Sequence, residues 1–194
     1  MNFVIEKYMN YVDFFFLYSN ESTIEFYRKF GFREIKENIF LAKSNIIKSK
    51  SAARKLDISL DTDYLLLQNI LNNRWALTRI FGAEKYAFIT MWHILNLYRD
   101  KLYYLEKERI VVIKEEENNT LCIIDVLFSE SIELQSLLPK IIVSDSIQCV
   151  KYYFPPDIVK FSCDKILQDE TGLFILGDID LGKKPFRFSN TAIT

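Results

Sequence analysis

The segment from Val12 to Ala42 constrains the fold of this chain more than any other. It opens with VDFFFLY (12–18), a short aromatic run of the kind that forms a strand. Ser19-Asn20-Glu21-Ser22 follows, with side chains suited to the free N–H groups at a helix start. STIEFYRKF (22–30) then predicts a helix. Gly31 stands just past it, where a helix can end in a left-handed residue at little cost. EIKENIFLA (34–42) predicts a second strand. Strand, helix and strand in so short a stretch point to an α/β architecture, a mixed sheet with flanking helices.

The rest of the chain supports that class. Residues 3–10 read as the end of a helix. Residues 43–62 (KSNIIKSKSAARKLDISLDT) are polar, rich in Ser and Lys and weakly periodic, which marks a boundary. It divides the chain into a unit at 1–45 and a second α/β unit at 57–194. Residues 63–80 predict an amphipathic helix capped by Asp61 or Thr62. YAFITMWHILNLY (86–98) fits helix or strand, and its β-branched and aromatic content favours strand. RIVVIK (109–114) and LCIIDVL (121–127) flank Asn118-Asn119 and predict an antiparallel hairpin. A helix disturbed near its end by Pro139 is expected over 131–142, strands over 148–154 and 172–177, and an extended tail.

Composition excludes several classes. The 194 residues are 49% hydrophobic and 15% aromatic, ample for a packed core and unlike a disordered chain. Lys and Arg (25) balance Asp and Glu (26), which leaves no electrostatic footprint for nucleic acid. No charge-free run is long enough to span a membrane, and residues 1–19 carry Glu6, Lys7 and Asp13 rather than a signal-peptide pattern. Cys122, Cys149 and Cys163 are widely spaced and His93 is the only histidine, so no metal-ligand pattern exists. Three free thiols in a reducing cytoplasm are expected.

Chemistry concentrates between Ser19 and Phe32. Asn20 sits at the junction of strand and helix, and Tyr27 lies two helical turns further on, on roughly the same face. An amide and a phenol can thus line one groove at the C-terminal edge of the preceding strand, where open α/β sheets bind ligands. The plainer reading makes Asn20 a helix cap and Tyr27 a core aromatic. His93 is either a general base for an amine or a half-buried strand residue. Asp125, a carboxylate inside an apolar strand, either binds a substrate amine or points to solvent or pairs locally.

The skeleton Asn20, Tyr27, Gly31-Phe32, with a strand on either side, resembles the motif that closes the catalytic domain of the GNAT N-acetyltransferases. The match covers about residues 1–43. The resemblance implies a partial acyl-CoA N-acyltransferase fold, with Asn20 hydrogen-bonding the pantetheine arm of acetyl-CoA. It also implies that Tyr27 is the general acid that protonates the departing thiolate. A phenol with a pKa of about 10 and a thiol of about 8.5 suit that transfer. Residues 57–194 more weakly resemble a second, degenerate GNAT-like unit, through the order hairpin, helix, strand.

One departure from the family stands out. Its cofactor pyrophosphate is held by a Gly-rich loop opening a helix, yet no glycine precedes Gly31, and Gly82, Gly172, Gly177 and Gly182 form no such loop. The segment matched here begins after that loop, as in an N-terminally truncated fragment, so the chain alone is expected to bind acetyl-CoA poorly and to be inactive. Three functions remain open: an N-acetyltransferase acting on a small-molecule or peptide amine, present as a fragment; a non-catalytic GNAT-like binding module; or a domain that completes its sheet with a second copy or a complementing chain through the open edge near 12–18.

Overall fold

The computed structural model describes residues 1–44, 46–49, 53–181 and 184–193. Positions 45 and 50–52 of the expected boundary, Gly182, Lys183 and Thr194 lie outside the described residues.

The opening segment folds in the expected order. Helix α1 (Asn2–Tyr8) leads to strand β1 (Phe14–Tyr18) and the short helix α2 (Ile24–Arg28). The expected strand over 34–42 splits into β2 (Arg33–Glu34) and β3 (Glu37–Lys43), which join different sheets. Strand β4 (Arg54–Lys55) and helix α3 (Asp61–Asn73) follow.

Residues 86–98 correct the expectation of a strand. They form helix α4 (Ala87–His93) continued by a π-helical turn, Ile94–Tyr98. Thr90, His93 and Ile94 are buried at helical spacing. The exposed Phe88, Trp92, Leu95 and Leu97 hide that period in the sequence.

Strands β5 (Leu102–Leu105), β6 (Ile110–Glu117) and β7 (Thr120–Leu127) come next. The hairpin of β6 and β7 turns on Asn118 and Asn119, both at positive φ (49° and 59°). Two such residues match the right-handed twist of the strands they join. Helix α5 (Leu134–Ile141) carries Pro139 inside it. Strands β8 (Cys149–Tyr152), β9 (Lys165–Asp169) and β10 (Leu173–Gly177) precede a final 3-10 turn at Asn190–Ala192.

Among the described residues these strands make two sheets. The larger runs β4-β5-β6-β7-β8-β3-β9, and the smaller runs β1-β10-β2. The larger is mixed: β7 and β8 are parallel and its other pairs antiparallel. The protein is therefore a mixed α/β fold with flanking helices. Segments 1–45 and 57–194 interlock through both sheets, since β1 pairs with β10 and β3 lies between β8 and β9.

Both faces of the larger sheet are covered. One packs on α5 and the aromatic cluster of Phe40, Tyr152, Phe154 and Phe161, where the Tyr152 and Phe161 rings stack at 3.7 Å. The other packs on α3 and Ile94. A third cluster gathers Phe81, Tyr86, Leu173, Phe186 and Phe188 against the smaller sheet.

Candidate functional site

Asn20 lies in the turn between β1 and α2, on the surface. Its side-chain carbonyl accepts the hydroxyls of Ser22 (2.7 Å) and Thr23 (3.1 Å). Its main-chain carbonyl accepts the Thr23 N–H at 3.0 Å. The Thr23 hydroxyl also donates to that main-chain carbonyl at 3.2 Å, and polar side chains that bond to nearby backbone in this way favour a turn over a helix. The helix consequently starts at Ile24, so Asn20 and Tyr27 are not two turns apart on one continuous helix. Asn20 is also not the cap residue, a position held by Thr23. Its amide NH2 has no partner among the described residues.

Tyr27 is half-buried on α2 and makes edge-to-face contacts with Phe26 (5.2 Å) and Phe32 (5.9 Å). Phe32 is itself buried, so Gly31-Phe32 anchors the end of α2 in the core while the phenol rests on that anchor. Among the described residues no hydrogen bond engages the Tyr27 hydroxyl. Gly31 is at φ +86°, as its place past the helix requires.

Asp125 is fully buried rather than turned to solvent, and its charge partner is distant in sequence. It faces Arg74, 51 residues earlier, in a two-pronged ion pair at 2.9 and 3.0 Å. It also accepts the Val126 N–H (2.7 Å) and the Thr191 hydroxyl. Burial works against the charge on Arg74. The Asp125 carboxylate more than offsets this, and the guanidinium pKa stays above its ordinary value. The guanidinium lies 4.6 Å from the centre of the Tyr86 ring. Burial, then the Asp125 charge, pushes the Tyr86 phenol upward.

His93 is buried on α4 rather than on a strand, and its Nε2 lies 2.7 Å from the Ile193 carbonyl. That contact makes Nε2–H a donor to the tail. Nδ1 is buried with no partner among the described residues. Thr90, one turn earlier, reaches the Thr191 carbonyl at 3.3 Å. The two polar residues singled out from the sequence thus converge on the C-terminal turn, where they hold chain together.

Two further residues carry no sequence signal. Arg74 follows a helix with nothing to mark it as the partner of Asp125. Glu37 is buried at the head of β3 and accepts the Tyr18 hydroxyl (3.1 Å), the Thr171 hydroxyl and the Phe188 N–H (2.6 Å). Burial, reinforced by the Glu37 charge, drives the Tyr18 phenol well above its usual pKa.

A cavity of about 610 Å³ opens beside the Arg74–Asp125 pair, lined by Arg74, Trp75, Arg79, Tyr86, Asp157 and Lys160 among others. Asp157 accepts the Arg79 N–H at 2.7 Å and pins the irregular stretch 74–86. Asn20 and Tyr27 do not line this cavity. The three cysteines are free; Cys122 is buried and the other two half-buried. Burial raises the thiol pKa of Cys122 and Cys149. Among the described residues no three acidic, Cys or His side chains gather as metal ligands would. None of the helices described is long and apolar enough to cross a membrane.

No protein-family model and no curated protein matches the chain. Among solved structures it is similar to a GCN5-related N-acetyltransferase from Kribbella flavida, at 15% identity and a TM-score of 0.49, covering 90% of this chain and 46% of that one. It is also similar to a conserved protein of unknown function from Enterococcus faecalis V583, described as a probable N-acyltransferase. There the identity is 13% and the TM-score 0.47, covering 90% of this chain and 47% of that one. The chain spans about half the length of these two structures. Likeness this remote assigns no residue a role.

Proposed function

We propose that this chain is part of a GNAT-type N-acetyltransferase that moves an acetyl group from acetyl-CoA to an amine. The observation that carries the reading is the local fold of residues 14–34. A strand, a turn holding Asn20, a helix holding Tyr27 and Gly31 followed by the buried Phe32 occur in the order the motif requires.

The residues fit one part of the cofactor. The exposed Asn20 amide has a free NH2 that can donate to a pantetheine carbonyl. The Tyr27 hydroxyl is unengaged and can give up a proton. The pyrophosphate has no counterpart here, because no Gly-rich loop opens a helix anywhere in the sequence. Bound acetyl-CoA supplies the activated acyl group. Asn20 would orient the arm, and the Tyr27 phenol would transfer its proton to the sulfur as the C–S bond breaks and the amine nitrogen takes the acetyl carbon. The amine's surplus proton passes to solvent, and solvent returns a proton to the Tyr27 phenolate, so the acid is restored with no net change.

The test has two arms. Calorimetric titration of acetyl-CoA into this chain alone is expected to show no micromolar binding; micromolar affinity would overturn the division of the cofactor site. In a longer polypeptide supplying a Gly-rich loop ahead of residue 1, Tyr27→Phe is expected to lower kcat by roughly 10²–10⁴-fold. Unchanged turnover across pH would remove Tyr27 from the mechanism.

A second reading, a non-catalytic GNAT-like binding module, is favoured by one observation. The 610 Å³ cavity lies at residues 74–86 and 157–160 rather than beside Asn20 and Tyr27. Ligand binding there, with no acetyl transfer by the longer polypeptide, would decide for it.

A further inference from the structure

Three parts of the chain meet around the 610 Å³ cavity: the stretch 74–86, Ser131, and residues 157–160. Its volume lies in the range of pockets that hold small molecules. Half of its lining residues are charged, and the charges do not balance. Asp125 neutralises Arg74, which leaves Arg79, Lys85 and Lys160 against Glu84 and Asp157. Among the described residues the side chains of these three cations enter no hydrogen bond or ion pair. Asp157 already accepts the Arg79 main-chain N–H at 2.7 Å. The surplus is positive, in a recess where low-dielectric walls concentrate the field.

Arg74 adds a donor that is already in place. Its two terminal nitrogens hold Asp125, and its guanidinium lies 4.6 Å from the centre of the Tyr86 ring. Its Nε–H is buried with no acceptor among the described residues. Buried donors are nearly always paired, so an orphan in the wall of a cavity calls for an acceptor from outside the chain.

The frame around the cavity is fixed. The Trp75 N–H donates to the Phe128 carbonyl at 2.8 Å, just past β7, and the Arg79 N–H ties the stretch to Asp157. Lys85 has φ +58°, a left-handed conformation uncommon outside Gly, Asn and Asp. Local strain of this kind collects at binding sites. Trp75 is 48% exposed and meets Phe128 at 6.2 Å, so part of its indole stays open to a flat ligand.

We propose that this cavity binds a small anionic molecule, a phosphate or carboxylate carried on a flat apolar ring. Arg79, Lys85 and Lys160 hold the anion, the Arg74 Nε–H supplies the buried donor, and the ring rests on Trp75. A packed segment of polypeptide suits this lining poorly, because Lys, Glu and Asp are depleted where protein surfaces bury one another. No residue of α1 or β1 lines the cavity. The inference does not rest on acetyl transfer; it names the ligand class that the binding-module reading leaves open.

The test uses this chain alone with three probes of similar ring size: phenyl phosphate, benzoate and benzylamine. Calorimetric titration is expected to show one-site binding of phenyl phosphate or benzoate with a Kd of about 1 mM or tighter. The affinity should fall as salt is raised. The tighter of the two identifies the anion. Arg79 and Lys160 are exposed, so Arg79→Gln and Lys160→Gln should leave circular dichroism unchanged. Each is expected to weaken the anion roughly tenfold. Trp75→Leu is expected to weaken it about threefold or more. If that variant does not fold, the Arg79 and Lys160 variants decide. Absence of binding by both aromatic anions overturns the proposal. So does benzylamine binding as tightly as either anion, or anion binding that Arg79→Gln and Lys160→Gln leave unchanged. Failure of every probe leaves the test of Tyr27 standing, and an inactive longer polypeptide leaves the probe result standing.

Discussion

Removing the Asp125 carboxylate is expected to cost this protein a large share of its stability. The Arg74 side chain is 4% exposed and that of Asp125 0%, so neither charge can fall back on water. Asp125→Ala deletes the acceptor of both Arg74 prongs, of the Thr191 hydroxyl and of the Val126 N–H. Breaking a buried pair by removing one partner costs about 3–5 kcal/mol, mostly because the other charge stays buried and uncompensated. That is a substantial fraction of the roughly 5–15 kcal/mol that holds a typical domain folded. Urea unfolding followed by tryptophan fluorescence measures the loss. The double variant Arg74→Met with Asp125→Leu removes both charges and fills similar space, so it should be more stable than Asp125→Ala alone. A loss below about 1 kcal/mol for Asp125→Ala would refute the reasoning, since only a solvated pair is worth so little.

Two further perturbations probe other parts of the fold. Asp63 is buried and accepts both prongs of Arg54 at 2.8 Å and the Asp57 N–H at 2.8 Å. The Arg54 hydrogen bonds hold its carboxyl below the ordinary range. A lowered folded pKa gives stability that is complete above the unfolded value of about 3.9 and lost as pH falls through the folded one. Acid titration of the urea midpoint should therefore fall more steeply for the native protein than for Asp63→Asn, and parallel curves would exclude the pair as a source of acid sensitivity. Gly172 sits at φ +75°, and a Cβ there would lie 2.3 Å from the Ser19 carbonyl oxygen. Gly172→Ala is expected to cost more than about 1 kcal/mol. It should also speed exchange at the Ser19 and Leu17 amides, and an unchanged melting temperature would contradict the close approach.

Local signals in the sequence proved readable where the structure is local. Asn118-Asn119 between two apolar runs specified the β6–β7 hairpin, because only a turn tolerant of positive φ closes it tightly. Leu134, Leu137, Leu138 and Ile141 lie on one helical face despite Pro139, and α5 buries that face. The failures have a common physical origin. Phe88, Trp92 and Leu95 are exposed on α4, so composition pointed to strand while the buried positions kept helical spacing. Strands β4 and β9 are charged edge strands whose partners, β5 and β3, lie far away in sequence, and nothing within such short segments announces them. The candidate residues divide the same way. The order around Asn20 and Tyr27 was legible because it is a run of adjacent elements. The environment of Asp125 was not, because its partners are Arg74 and Thr191.

That distant pairing explains why the two ends of the chain cannot be considered apart. Strand β1 has β10 as its neighbour in the sheet, a strand more than 150 residues later, so the element that positions Asn20 and Tyr27 forms only when the end of the chain is in place. The stretch from Phe186 to Ile193 then makes the connection between the sheets. Its backbone exchanges hydrogen bonds with Asn38 and gives the Phe188 N–H to Glu37, which also holds Tyr18 of β1. A few residues on, Thr191 meets Asp125 and the Ile193 carbonyl meets His93. Buried polar groups need partners, and here one short tail supplies them to both sheets at once. The polar residues that looked like scattered functional candidates in the sequence are in large part the anchors that this tail requires.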